Sequence, residues 1–237
     1  MIQTIFERTE IKYLLSKDGA KRIIEECGER LKPDKYYKGT NCSIYFDTND
    51  KYLAIHSLEK PLYKEKIRLR SYGVPKLNDF VFFEIKKKFV GTGYKRRISL
   101  RLRDYYSFCK TGRLEGGSAQ ICKELEDCFR RYDLKPALFL AYDRLAYVGS
   151  SEPDFRVTFD SNVRYRTNDL DLGHGDYGDN YFKNGEIVME VKAMNAYPIW
   201  FVRALDKLKI YPASFSKYGR VMQCLYSNNH EERSNNV

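Results

Sequence analysis

The sequence predicts an α+β fold in which antiparallel strands close a β-barrel tunnel with flanking helices. Three observations predict it. Segments of apolar–polar alternation recur along the chain, Tyr (20) and Phe (14) are abundant and favour strands, and the polar faces of six segments carry mostly Lys and Arg. With 237 residues, 43% hydrophobic and 31% charged, the chain can bury a sizeable core. A single domain over 1–228 with a disordered tail over 229–237 is expected.

The elements follow in order. Residues 2–15 alternate and read as a strand. Ser16 caps a helix running to about Leu31, which Pro33 ends. Cys42–Asp47 is a strand, and so are Lys60–Tyr72 and Phe80–Val90, parted by a turn with Gly73, Pro75 and Asn78. Gly91 and Gly93 turn the chain into a strand at Tyr94–Leu102. Asp104 to about Tyr132 is helical, broken at Gly116–Gly117. Strands return at Leu138–Val148, Phe155–Asp160 and Ile187–Lys192, around a polar loop over 167–185. Pro198 opens a helix to about Lys209, and the chain from Ser216 reads as helical before its tail. About eight strands result, which suits a mostly antiparallel sheet.

Composition narrows the partners. The formal charge of +10 calls for an anion. Six cysteines lie without a C-x-x-C pair or zinc spacing, so buried free thiols are expected. The first ten residues are charged and hold no apolar signal core. No stretch approaches the ~20 apolar residues of a membrane span. A cytoplasmic protein that is not integral to a membrane is expected.

Strand parity places the charges. Residues two apart share a face. Lys64, Lys66, Arg68 and Arg70 therefore stand opposite Tyr63, Glu65, Ile67 and Leu69. Glu84, Lys86 and Lys88 oppose Val81, Phe83, Ile85 and Phe89, while Lys95, Arg97 and Ser99 oppose Tyr94, Ile98 and Leu100. Arg156, Thr158 and Asp160 oppose Phe155, Val157 and Phe159. Val188, Glu190 and Lys192 oppose Ile187, Met189 and Val191, and Arg8, Glu10 and Lys12 share one side of the first strand. For any one strand, a wet face explains such charges. Across six strands it explains them less well, because like charges on neighbouring strands cost up to about 1 kcal/mol per opposed pair. Facing a lumen, these cations would hold phosphate chains. On this reading Arg8, Lys66, Lys88 and Lys192 bind substrate. Glu10, Glu84 and Glu190 either pair with lysines or hold a divalent cation, and Glu190 is the strongest candidate.

The strings FERTEIKYLL, SIYFDT, KIRLRSYG, FFEIKKK, YDRLAY, FRVTFD, VMEVKA and FSKYGRV stand in the order found in the VTC (vacuolar transporter chaperone) catalytic domain. Over about residues 4–225 the chain resembles that family, part of the CYTH-like triphosphate tunnel metalloenzyme superfamily. The resemblance implies a tunnel, Mn²⁺ or Mg²⁺, and transfer of the ATP γ-phosphoryl group to growing inorganic polyphosphate. By motif it implies phosphate ligands at Lys12 (EIKY), Arg68 and Arg70 (RLR), Lys86 (EIKK), Lys95 and Arg97 (YKRR), Arg144 (YDR), Arg156 (FRVTFD) and Lys217 (FSKY). Glu190 (MEVK) is the implied metal ligand. The expected partners are ATP, polyphosphate, and pyrophosphate or triphosphate.

One departure bears on activity. The superfamily's hydrolases and cyclases carry E-x-E-x-K on the first strand, where this chain has Arg8, Glu10 and Lys12. That favours a polymerase over a tunnel triphosphatase or a non-catalytic polyphosphate-binding module. Nucleic acid is not expected, because Phe83, Phe89, Phe155 and Phe159 fall on the apolar side. With neither a regulatory domain nor a membrane segment, export of the product is expected to need a separate membrane partner.

Overall fold

Ser16 opens the first helix as expected: its Oγ accepts the Gly19 backbone N–H at 3.0 Å. The helix, α1 (Lys17–Cys27), stops short of Leu31 because Gly28 takes a left-handed φ of 54°. A computed structural model describes residues 8–59, 61–90, 92–194 and 196–234. The strands are β1 (Arg8–Leu15), β2 (Leu31–Asp47), β3 (Tyr63–Tyr72), β4 (Phe80–Phe89), β5 (Thr92–Arg101), β6 (Lys135–Gly149), β7 (Arg156–Arg166), β8 (Asp179–Asn180) and β9 (Ile187–Met194). The remaining helices are α2 (Tyr52–Leu58), α3 (Leu102–Thr111), α4 (Ala119–Tyr132), α5 (Ile199–Lys207) and α6 (Lys217–Ser234). Expectations for residues 2–7, Lys60, Gly91 and 235–237 lie outside the described residues; the tail expected over 229–237 is helical as far as Ser234.

The hydrogen-bonded strand order is β1-β9-β7-β6-β2-β3-β4-β5, with β8 beside β7. The α+β, antiparallel character is therefore as the sequence predicts. Closure is not: the order has two ends, β1 and β5, and no ladder among the described residues joins them.

The chain divides into two compact units. One takes the chain up to Thr40, Tyr142–Val163 and Asn180–Ser216; the other takes Asn41–Ala141, Arg164–Asp179 and the chain from Lys217. In the first unit, Tyr13 of β1, Val157 and Phe159 of β7, and Met189 and Val191 of β9 join Ile23 of α1 and Phe201 of α5 in one buried cluster. In the second, Ile44 and Phe46 of β2, Ile67 and Leu69 of β3, Phe83 and Ile85 of β4, and Ile98 and Leu100 of β5 pack with Phe108 of α3 and Leu125 of α4. Full burial of one such side chain stabilises by roughly 1.5–3 kcal/mol. In both units the apolar parity of each strand is spent on this core. The opposite parity carries the unbalanced cations, while Glu65, Lys87 and Arg96 pair on the core side.

Candidate functional site

In the second unit, register turns the cationic parity into cross-strand rows. Lys64 of β3 stands opposite Lys88 of β4. Lys66 stands opposite Lys86, which stands opposite Lys95 of β5. Arg68 stands opposite Glu84, which stands opposite Arg97. These three rows hold seven cations and one carboxylate, so Glu84 is drawn upon from two sides. It is 2% exposed. Arg68 donates to its Oε2 at 2.6 Å, and Lys95 Nζ stands 2.7 Å from Oε1. Burial alone would raise the Glu84 carboxyl, but Arg68, Arg70 and Lys95 outweigh it and hold the group at about 2. Glu84 thus follows the pairing alternative left open by the sequence. Both oxygens are engaged by cations, and no second carboxylate stands beside it in these rows.

Two further residues of this face carried no role in the sequence reading. Tyr45 of β2, opposite Arg68, accepts a hydrogen bond from it at 3.1 Å and stacks on Tyr218 of α6 at 4.3 Å. Burial would raise the Tyr45 phenol, and Arg68 and Arg70 bring it below its ordinary value. Tyr218 donates to the buried Asp47 carboxylate at 2.7 Å, one residue beyond Lys217, the first residue of α6. Arg70 is buried and donates to Ser43 Oγ at 3.3 Å. Lys86, Lys88, Lys95 and Arg97 are exposed, and Lys66 half-buried.

The other parity of the same strands is charge-matched. Lys87 lies between Glu65 at 3.3 Å and Glu124 of α4 at 2.6 Å, and Arg96 pairs with Glu124 at 2.7 Å. Arg96, which interrupts Lys95 and Arg97 in the sequence, therefore belongs to this paired side.

In the first unit, β1 and β9 set two carboxylates and two lysines in a checkerboard: Glu10 opposite Lys192, and Lys12 opposite Glu190. Lys12 Nζ is 3.4 Å from Glu10 and 3.8 Å from Glu190; Lys192 pairs with Glu190 and stands 3.8 Å from Glu10. Glu190 is 9% exposed. Burial would raise its carboxyl; Lys192, Lys12 and Arg144 outweigh that and hold it well below the carboxylate range. Arg144 of β6 is clamped by Asp160 of β7 through two bonds of 2.6 and 2.8 Å, and Asp160 is fully buried. Asp160 orients the arginine, a role the sequence reading did not give it. Arg156 pairs with Asp34 and stays half-exposed. Arg8 is placed by its backbone opposite Met194; its side chain lies outside the described residues.

Among the described residues, no three His, Cys, Asp or Glu side chains converge as a metal site. The fit is narrower. Mg²⁺ and Mn²⁺ commonly take one or two protein carboxylates and complete their shell with phosphate oxygens and water. Glu10 and Glu190, brought together through shared lysines, fit such a partial set.

These features define a class first. The architecture resembles triphosphate tunnel proteins: it matches a "putative adenylate cyclase" from Bacillus halodurans with TM-score 0.54 at 15% identity, over 87% of this chain and 92% of that one. It also matches a "putative adenylyl cyclase" from Hippeastrum, described as having a dominant triphosphatase activity, with TM-score 0.52 at 15% identity over 90% and 93%. At such identities the likeness is one of fold. The VTC domain model matches residues 7–226, and the chain belongs to the VTC domain family. It is 27% identical over 184 residues to vacuolar transporter chaperone complex subunit 4 of Trypanosoma cruzi (strain CL Brener), covering 65% of this chain and 23% of that protein. The chain thus spans under a quarter of the length of that curated relative. Among the described residues, no helix is long and apolar enough to cross a membrane.

Proposed function

We propose that this domain is a polyphosphate polymerase that transfers the ATP γ-phosphoryl group to the end of an inorganic polyphosphate chain. The observation that carries the reading is the run of three cross-strand rows with seven cations and one carboxylate, beside a charge-matched opposite face. Like-charged neighbours repel unless an anion sits between them. A polyphosphate offers such a face a dense run of negative charge. Family membership supports the same chemistry. The single-domain reading over 1–228 belongs to this proposal, supported by the family match over residues 7–226.

Phosphoryl transfer passes through a loose transition state, so positioning and charge neutralisation do most of the catalysis. Arg68 and Arg70 are held in fixed orientations by Glu84 and Ser43, and Arg144 by Asp160, so each presents a pre-set fork to phosphate oxygens. Lys12, Lys66, Lys86, Lys88, Lys95, Lys192 and Lys217 act as point charges, with Arg8, Arg97 and Arg156 as further cations. When bound at Glu190 and Glu10, Mn²⁺ or Mg²⁺ would supply Lewis-acid neutralisation of phosphate charge. The acceptor's terminal phosphate is already ionised at neutral pH. It forms the new bond to the γ-phosphorus as the bond to ADP breaks, and no general base is needed. A separate membrane partner would serve export.

Incubation with ATP and Mn²⁺, followed by sizing of the product on a gel, tests this. Long chains accompanied by ADP are expected. Orthophosphate alone would replace the reading with a triphosphatase, and no turnover with intact tripolyphosphate binding would leave a binding module.

A further inference from the structure

On the cationic face of the second unit, the charged rows give way to aromatics at one end. Phe82 of β4 stands opposite Arg70 of β3 and Ser99 of β5, directly beyond the Arg68–Glu84–Arg97 row. Phe80 shares its parity and stands opposite Arg101. Tyr72 of β3 meets Phe82 edge-on at 5.5 Å. The guanidinium of Arg97 lies 4.7 Å from the centre of the Phe82 ring, and that of Arg101 lies 4.7 Å from Phe80. Tyr72 is 64% exposed and Phe80 56%. The core does not claim these rings: Val81 and Phe83, of the other parity, are fully buried in it.

Three aromatic rings with two guanidinium planes, set at the end of a phosphate-binding face, have the composition of a base-stacking platform. Successive side chains on one face of a strand lie about 7 Å apart. A phosphate chain held along the lysine and arginine rows therefore ends one row from Phe82. In a nucleoside triphosphate the base lies one ribose beyond the α-phosphate, which suits that step. We propose that Tyr72, Phe80 and Phe82, with Arg97 and Arg101, form the subsite that stacks the nucleobase of a nucleoside triphosphate whose phosphates occupy the adjacent cationic rows. The inference rests on the phosphate-binding reading of that face. It adds that the base of that nucleotide donor is held by stacking, beside the phosphates held by the cationic rows. Stacking reads the π-face, so ATP and GTP bind alike.

Calorimetric titration of the full chain with ATP, GTP and inorganic tripolyphosphate, in the presence of Mg²⁺, tests this in wild type, Phe82→Ala, Phe80→Ala and Phe82→Trp. The expected result is a fall of about 5- to 100-fold in the ratio of ATP to tripolyphosphate affinity for Phe82→Ala, a smaller fall for Phe80→Ala, and recovery with Phe82→Trp. The exposed position of Phe80 keeps one variant informative should Phe82→Ala unfold. Equal losses for both ligands, or an unchanged ratio, overturn the subsite. So does a short single-stranded oligonucleotide lacking a triphosphate that binds as tightly as ATP with the same dependence on Phe82. A wild type that binds none of the phosphate compounds refutes the phosphate-binding reading itself.

Discussion

Glu84 shows how one buried carboxylate can hold neighbouring cations on a single face together. Its carboxylate is buried among Arg68, Arg70 and Lys95, and its carboxyl is held at about 2 against an ordinary 4.5. A depressed carboxyl contributes its full stability above the ordinary value and loses it as pH falls from about 4.5 towards 2. The magnitude is at most about 3 kcal/mol at 1.36 kcal/mol per unit. Glu84→Gln is expected to flatten that acid limb of the stability curve in denaturant titrations between pH 2 and 5. It should also destabilise the protein at pH 7 by about 3 kcal/mol, because Arg68 and Lys95 then face each other without an anion. Asp160→Asn acts differently. It leaves a buried side chain of the same shape but loosens the Arg144 fork. Weaker tripolyphosphate binding is expected from calorimetry, together with a lower melting temperature, because Arg144 loses its buried carboxylate partner.

At the scale of elements, the sequence revealed parity wherever charge and apolarity alternate, as in KIRLR and RVTFD, because a period of two needs no tertiary information. The same parity puts Phe80 and Phe82 beside Glu84 and Lys86, but FVFF is apolar at every position, so nothing in it marks these rings as lying outside the core. Charge pairing was equally hidden. Arg96 looks like a member of a YKRR cluster until register places it beside Glu124. The first half of β2, LKPDKYYKGT, shows no apolar alternation, so only a helix end at Leu31 and Pro33 is legible there, while α2 is one short helix without a periodic signal. Tyr218 was invisible for a different reason: its partners Asp47 and Tyr45 lie more than 170 residues away in the chain. Tyr218→Phe removes one hydrogen bond and keeps the stack, so a loss of about 1 kcal/mol in chemical denaturation is expected. Faster hydrogen exchange confined to the start of α6 should accompany it.

For the whole molecule, the excess of +10 is not spread evenly, because the second unit concentrates like charges in adjacent rows while pairing them on the opposite side. Such a face costs stability until an anion fills it. Removing one exposed member of the lysine row, as in Lys86→Ala, should raise the melting temperature of the unliganded protein slightly and weaken tripolyphosphate binding. The most direct test compares melting temperatures in tripolyphosphate and in sodium chloride of matched ionic strength. Ligand binding to the folded state alone stabilises it by mass action, about 2.7 kcal/mol at a hundredfold excess over Kd. A rise of several degrees with micromolar to millimolar tripolyphosphate, absent in matched salt and reduced in Lys86→Ala, is predicted. Identical curves in tripolyphosphate and matched sodium chloride would show that the cationic rows are a solvated surface, contradicting the account.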